Sequence, residues 1–441
     1  MSDMRSPTVA IQTLGCKLNI ADSEAMAHAF QMAGWRISKD LSSADAVIIN
    51  TCSVTRAADG KSRHAVRLAK RKAPAATVAV TGCLLETASP QTINDLGADL
   101  VYRQPDQVLL VERLTATRPG ALSGRQRQGG SFRVRAFVAA QNGCNDVCAF
   151  CIVPRTRGRE RSKPIEEVVA EVQAREAEGV MEVVITGTQL GAYGRDQTDG
   201  RGLRDLLSAV LAETRVPRIR MSSVQPQDLS DELIELWKDP RLCRHFHLAL
   251  QSGSETVLRR MRRRYDPATY RSAVERLRRR IPDVAVTTDI IAGFPGETEA
   301  EFRESFDFCS EVGFAAMHVF PYSPRPGTVA ARMTETVDEA TKKERVRALI
   351  ELGGRMGAGY RKRFLGHAVE VLWESRTGLP DANLWEGLTD TYVRVVGPSL
   401  DVLRNQTRSA CLTEIEGDVV RADIHPFDFM SAPDRNAGLG A

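Results

Sequence analysis

Three apolar segments near the N-terminus each run into a cysteine: Val9–Leu14 into Gly15-Cys16, Ala46–Asn50 into Thr51-Cys52, and Thr77–Thr81 into Gly82-Cys83. Between the first two, Asp22–Ala33 sets Ala25, Met26, Ala29 and Phe30 on one side of a helix that Gly34 ends. Between the last two, Arg56–Lys72 reads as a basic helix stopped by Pro74. This alternation predicts a flavodoxin-like α/β domain on a parallel sheet. Open parallel sheets bind ligands beyond the carboxyl ends of their strands. Strands running one way therefore bring Cys16, Cys52 and Cys83 to one rim. A single cysteine there would read as a small buried hydrophobe. Three in three successive strands point to a metal cluster.

A second set of thiols follows in Cys144-Asn145-Asp146-Val147-Cys148-Ala149-Phe150-Cys151, and the next cysteine is Cys243. Three soft ligands on a tight loop hold three corners of a four-iron cluster and leave one iron open to a small molecule. The alternative, structural zinc, wants four protein ligands, typically as two Cys-x-x-Cys pairs. The spacing also departs from the ferredoxin run. A disulfide framework does not suit 441 residues with nine cysteines, an odd number. Cys243, Cys309 and Cys411 fit no ligand pattern and read as buried fillers.

The first domain is expected over residues 7–118, followed by a Gly- and Ser-rich linker over 119–131. From 132 to 362, the strand signals Glu182–Thr186, Arg218–Ser222, Phe246–Leu250, Val284–Ile291 and Met317–Phe320 alternate with helical patterns. The helices are Ile165–Glu178, Leu203–Glu213, Leu229–Trp237, Pro267–Arg279 and Glu299–Val312. About six βα units predict a partial (β/α)6 barrel with its active site at the carboxyl ends of the strands. Residues 364–426 carry short strands separated by turns, at His367–Trp373, Leu384–Gly387, Thr391–Val396 and Asp418–Ala422. They predict a small antiparallel β-barrel, of the kind that binds oligonucleotides or serves protein contacts. The tail, 431–441, is expected to be disordered.

The N-terminus lacks the apolar stretch of a signal peptide, and no run reaches the roughly 18 apolar residues of a membrane span. A cytoplasmic protein with no membrane partner is expected, in a compartment where thiols stay available to metal. Net charge is only +4. Basic residues nevertheless concentrate at Arg56–Lys72, Arg155–Lys163, Arg259–Arg264 and Arg276–Arg280. One such run is usually a solvated helix face; four favour a polyanionic partner.

Cys-x-x-x-Cys-x-x-Cys at the head of a βα barrel resembles the radical S-adenosylmethionine (SAM) superfamily. Further motifs narrow the resemblance: Gly15-Cys16-Lys17-Leu18-Asn19, Asn50–Thr55, Thr81-Gly82-Cys83, Arg157-Gly158-Arg159, Leu250–Ser254, Asp289–Glu297 and Tyr322–Thr328. In this order they resemble the methylthiotransferase family, across roughly residues 7 to 425. The resemblance implies two 4Fe-4S clusters, one on Cys144, Cys148 and Cys151 that binds SAM, and an auxiliary one on Cys16, Cys52 and Cys83 that carries the sulfur. It implies that SAM both methylates that sulfur and supplies a 5′-deoxyadenosyl radical, and that the last barrel is an RNA-binding TRAM domain. Implied partners are a tRNA anticodon stem-loop, a low-potential electron donor such as flavodoxin or ferredoxin, and a sulfur donor.

Family members act on an isopentenylated or a threonylcarbamoylated adenosine beside the anticodon, or on an aspartate of a small-subunit ribosomal protein. Lys17-Leu18-Asn19, Asn50–Thr55 and Lys61-Ser62-Arg63 resemble the threonylcarbamoyl group. That substituent carries a carboxylate, which calls for charge-assisted contacts. Lys17 and Arg56 are the candidates, with tRNA phosphates or solvent as their alternative partners. By the same resemblance SAM meets Phe150, Thr186, Gly187, Gln189, Ser222, Ser223, Gln251, Ile290 and Ile291, unless these only support the barrel. A different class, a non-catalytic iron–sulfur RNA-binding protein, shares the cysteine pattern.

Overall fold

In the computed structural model, which describes residues 6–104, 107–117, 134–378 and 383–425, the N-terminal strands form a five-stranded sheet. They are β1 (Thr8–Thr13), β2 (Arg36–Ser38), β3 (Ala46–Thr51), β4 (Thr77–Gly82) and β5 (Leu100–Val101), in the order β2-β1-β3-β4-β5. All neighbours are parallel, as in flavodoxin-like sheets. Every residue of β3 is buried because helices cover both faces. Ala65, Val66 and Ala69 of helix α2 (Arg56–Lys72) fill one side. Met26 and Phe30 of helix α1 (Lys17–Met32), with Leu110 and Leu114, fill the other. Helix α1 begins five residues before the periodicity implied, with Cys16 as its N-cap residue.

Six parallel strands form the partial barrel: β6 (Arg135–Asn142), β8 (Glu182–Gly187), β9 (Arg218–Met221), β11 (His245–Leu248), β12 (Ala285–Ala292) and β13 (Ala316–Pro321). Two short strands, β7 (Arg161–Ser162) and β10 (Ser223–Val224), complete sheets ordered β7-β6-β8-β9 and β10-β11-β12-β13. The break between the sheets falls at Ser222, and a single bridge, Ile219 to Leu242, spans it. Periodicity names five of the six strands. Strand β6 escapes it because its run Ala136–Ala140 is apolar without alternation. The expected helix Leu229–Trp237 is instead a single turn, Asp231–Ile234, followed by a 3₁₀ turn, Glu235–Lys238.

Side chains alternate along each barrel strand. Val138, Val183, Ile185, Ile219, Phe246, Leu248, Val286 and Ile290 join the main core under the surrounding helices. The intervening residues make a polar lumen that includes Glu182, Arg220, His247, Asp289 and His318. Helix α1 covers one flank of β6: Ala21 packs on Phe137 and Val184, and Glu24 Oε2 accepts the Phe137 N–H at 2.9 Å. That carboxylate satisfies a donor on a strand edge that no neighbouring strand pairs.

The described residues divide between Gly357 and Ala358 into two compact units, so the first sheet and the partial barrel belong to one body. The second unit is a closed barrel of β14 (Ala368–Arg376), β15 (Leu384–Thr389), β16 (Arg394–Pro398), β17 (Gln406–Glu416) and β18 (Val419–Ile424), ordered β14-β15-β16-β18-β17. Its pairs are antiparallel except β16 with β18, so the expected antiparallel barrel closes through one parallel pair. Trp373, Trp385, Val395, Leu412 and Val420 fill it. Strand β17, the longest, is mostly polar and buries only Ala410 and Leu412, which is why no strand signal marks it. The expected linker over 119–131 and tail over 431–441 lie outside the described residues. No helix among the described residues is long and apolar enough to cross a membrane.

Candidate active site

The register of the first sheet aligns Thr13 with Asn50, Asn50 with Thr81, and Thr51 with Gly82. The three cysteines therefore leave the sheet at one level. Asn19, buried in the first turn of α1, ties them together. Its Nδ2 donates to the carbonyls of Leu14 at 2.7 Å and Thr51 at 2.9 Å, while its Oδ1 lies 3.8 Å from Cys16 Sγ and 3.9 Å from Cys83 Sγ. A Cβ on Gly15, whose φ is +101°, would lie 2.8 Å from Cys52 Sγ. Glycine is thus the residue that lets the β1 turn approach the second thiol. Ser62 of α2 holds Cys52 by donating to its carbonyl at 3.0 Å and accepting from its N–H at 3.1 Å. Burial raises the Cys52 thiol and pushes Cys83 up to about 11, against the pull of Arg157.

The second cysteine set follows β6 directly. Gly143 turns the chain at a φ of +75°, where a Cβ would lie 2.0 Å from the Arg159 carbonyl oxygen. Ala149 anchors the loop, donating to Met261 O at 2.9 Å and accepting from Ala330 N at 2.8 Å. Arg263 donates to Cys148 Sγ at 3.2 Å and to Gln225 Oε1 at 3.1 Å. Burial pushes Cys144 up to about 11 and Cys151 up to about 12. All six cysteines are free thiols.

Two buried arginines join these halves. Arg157, just after the cysteine loop, pairs with Asp22 at 2.9 Å and donates to Asn19 Oδ1, so it bridges the barrel loop and the auxiliary rim. Arg325, beyond β13, donates to Asp59 Oδ2 and to Ser53 Oγ, both at 2.7 Å. Arg325→Lys keeps the charge but loses the fork, so stability should fall by about 1–3 kcal/mol in denaturant titration. Unchanged unfolding would show that the fork adds nothing.

The lumen holds a linear relay. His245 Nε2 lies 2.9 Å from Thr287 Oγ1, which lies 3.0 Å from His247 Nδ1; His247 Nε2 lies 3.2 Å from Asp289 Oδ2, and Asp289 Oδ1 lies 3.2 Å from His318 Nδ1. Burial would raise the Asp289 carboxyl, but hydrogen bonds from His247 and His318 hold it well below the usual range. An ionised Asp289 accepts from both rings. The cluster is compact enough for a metal. Each carboxylate oxygen is already engaged by a different ring, however, and the contacts read as a hydrogen-bond relay.

The candidate residues divide. Lys17 is half-buried: burial, then Arg220 and Arg135, push it down to about 8, beside Glu182 and Asp289 of the lumen. Arg56 is exposed, and its backbone N–H donates to Ser323 Oγ at 3.1 Å. Phe150 and Ile291 pack in one small apolar cluster with Ala149 and Phe294, whereas Ile290 is buried on the opposite face, in the main core. Gln251 adopts a left-handed φ of 70° and is bridged to β12, donating to Asp289 O at 2.8 Å. Gln189 is buried between Gln141 and Asp228. Gly187 stands where a Cβ would meet Gln141 at 3.1 Å. Thr186 and Ser222 are buried, Ser223 half-buried; Ser222 Oγ has no hydrogen-bond partner.

The basic runs also divide. Arg260 pairs with Glu301, Arg264 with Asp146, and Arg276 and Arg280 with Asp231, so the third and fourth runs are largely paired with acids, several of them at the surface. Arg63, Arg67 and Arg71 of α2 have no ion-pair partner among the described residues.

Two family models match: the radical SAM superfamily over residues 138–309, and Uncharacterized protein family UPF0004 over residues 8–102. The chain is 37% identical to the threonylcarbamoyladenosine tRNA methylthiotransferase MtaB of Bacillus subtilis, over 88% of this chain and 90% of that protein. The chain belongs to the methylthiotransferase family of radical SAM enzymes. It is also 36% identical to MtaB of Thermotoga maritima, over 83% and 86% of the two chains. A tRNA-2-methylthio-N(6)-dimethylallyladenosine synthase of Caldicellulosiruptor saccharolyticus is likewise 36% identical, over 88% and 86%. In fold, this methylthiotransferase is similar to the radical SAM methyltransferase TsrM of Kitasatospora setae. The TM-score is 0.55 at 15% identity, covering 74% of this chain and 77% of that one.

A radical SAM methylthiotransferase uses SAM and 4Fe-4S clusters as cofactors. The donor sets suit such clusters: two triads of soft thiols, each on turns that glycine brings close, and the loop triad has no fourth cysteine or histidine close in sequence. Sequence reasoning missed Asn19, Arg157 and Arg263 as partners of these thiols. Arg157 and Arg263 sit in basic runs that read as surface charge. The pattern His245-x-His247 carried the signal for the lumen relay, because alternate residues of a strand share a face.

Proposed function

We propose that this methylthiotransferase places a methylthio group on C2 of N6-threonylcarbamoyladenosine, next to the anticodon of tRNA. In this reading Cys144, Cys148 and Cys151 hold the SAM-binding cluster, and Cys16, Cys52 and Cys83 the auxiliary cluster. When bound, these groups supply the radical and the sulfur. The chain's own residues set the frame: Arg263 donates toward the Cys148 sulfur, and Arg157 carries positive charge to Asn19 beside Cys16 and Cys83. Phe150, Ile291, Gln251, Gln189, Thr186, Gly187, Ser222 and Ser223 surround SAM; Ile290 acts from the core behind them.

The observation that carries the substrate choice is the exposed cation Arg56, four residues beyond Cys52 at the auxiliary rim. Identity does not decide it, since relatives named for either modified adenosine reach 36%. A cationic rim suits the carboxylate of the threonylcarbamoyl group and has no counterpart in an apolar dimethylallyl group. The exposed arginines of α2 and the closed C-terminal barrel support an anticodon stem-loop as partner. A cytoplasmic setting, a flavodoxin- or ferredoxin-like electron donor and a sulfur donor complete the reading.

The test is mass spectrometry of tRNA nucleosides from cells lacking this protein. Loss of the methylthio mark from threonylcarbamoyladenosine alone is the expected result. Loss from the isopentenylated nucleoside instead, or an unchanged profile, would overturn the substrate assignment.

A further inference from the structure

Between the start of α2 and the end of β13 lies a cavity of about 650 Å³, lined among others by Gly15, Cys52, Arg56, Lys61, Phe320 and Tyr322. Its size falls in the range of about 300–1,000 Å³ usual for small-molecule sites. Its lining is unusual in three respects. Phe320, next to last in β13, has 42% of its surface exposed, although a large aromatic ring is normally buried. The Tyr322 hydroxyl is buried without a hydrogen-bond partner among the described residues, although buried polar groups are nearly always paired. Arg56 and Lys61 are both exposed, and neither has an ion-pair partner among the described residues. The acid in the lining, Glu339, is tied to Lys342 at 2.7 Å. An aromatic ring and two cations therefore share one cavity with an auxiliary-rim cysteine, and the Tyr322 hydroxyl is buried behind them.

We propose that this cavity seats the flipped-out modified purine: Phe320 stacks on the base, and Arg56 and Lys61 take an anionic substituent. The inference rests on the substrate reading above and adds the residues that would enforce it. Chemistry on a base within a stem-loop requires the base to leave its stack, and a stacking face offsets part of that cost. Two cations select a ligand bearing a carboxylate over one bearing an alkyl group. Cys52 in the lining puts the same purine beside the proposed sulfur site.

The test is anaerobic fluorescence anisotropy of the holoenzyme with labelled anticodon stem-loops carrying threonylcarbamoyladenosine, isopentenyladenosine or adenosine at the target position. The wild type should prefer the threonylcarbamoyl RNA over the other two by about 10-fold or more. In Arg56→Met/Lys61→Met the ratio should collapse toward one, and Arg56→Lys should restore part of it. Phe320→Ala should weaken the threonylcarbamoyl complex by about 10-fold, the scale of one lost base stack. Iron content reports whether each variant is intact. Should the double variant lose iron, the two single variants read the same ratio. A wild type without preference would sink the substrate reading and this inference with it. A wild-type preference that survives both the cation and the Phe320 substitutions would overturn this inference and leave the substrate reading standing.

Discussion

Cys148→Ala is expected to halve the iron of the reconstituted protein, from about eight atoms per chain to about four, and to abolish 5′-deoxyadenosine formation from SAM. A loop with three thiols has none to spare, and no fourth cysteine or histidine stands close in sequence to replace the lost one. Cys52→Ala should also halve the iron. Its SAM cleavage should persist while methylthiolation stops, because the damage lies on the other rim. Ser62 would still hold the residue 52 backbone through the same two hydrogen bonds, so the effect is chemical and not a collapse of the sheet. Anaerobic iron analysis and product chromatography separate the two variants. Intact SAM cleavage in the first, or normal methylthiolation in the second, would refute the division of labour between the triads. Stoichiometric zinc in the wild type would refute both.

Arg157→Leu is expected to destabilise the N-terminal unit by about 3–5 kcal/mol, the usual cost of stranding one partner of a buried ion pair. The side chains of Arg157 and Asp22 are 3% and 15% exposed, so water replaces little of what is lost. Asn19 Oδ1 also loses its strongest donor, beside two thiols of the auxiliary rim. The variant should therefore retain less auxiliary iron than the wild type. Pairing it with Asp22→Asn should recover part of the stability, since the stranded carboxylate is then gone. The exposed neighbour supplies the control: Arg159→Leu should change stability by no more than about 0.5 kcal/mol. Equal unfolding midpoints for the Arg157 and Arg159 variants would show that the bridge carries no weight.

How much of this was legible in the chain differs by residue. Both thiol triads could be read directly, because spacing on a short loop and position at a strand end are local properties. Helix α2 begins and ends where its amphipathic pattern and Pro74 predict. Strand β6 could not be read, since a short apolar run without alternation has no period to detect. The basic runs were legible as charge but not as ion pairs, for a physical reason. Charge is visible in sequence, but its pairing with Glu301, Asp231 or Asp146 depends on residues about 40 to 120 positions away.

Lys17 and Arg56 show the same limit at the site. Both stand close to a cluster cysteine in sequence, and sequence assigns them one role. The fold turns Lys17 into the barrel lumen, where burial and Arg220 lower its proton affinity, and leaves Arg56 exposed at a cavity. Sequence by itself determined the α/β class, the two triads of cysteines and the family, because these rest on local pattern and residue chemistry. Tertiary structure alone decided that α1 flanks the partial barrel, that Arg157 links the two thiol sites, and that the end of β13 meets the auxiliary rim. Those facts depend on side chains meeting across as many as 265 or so intervening residues, as Asp59 meets Arg325, and no local pattern encodes such a meeting.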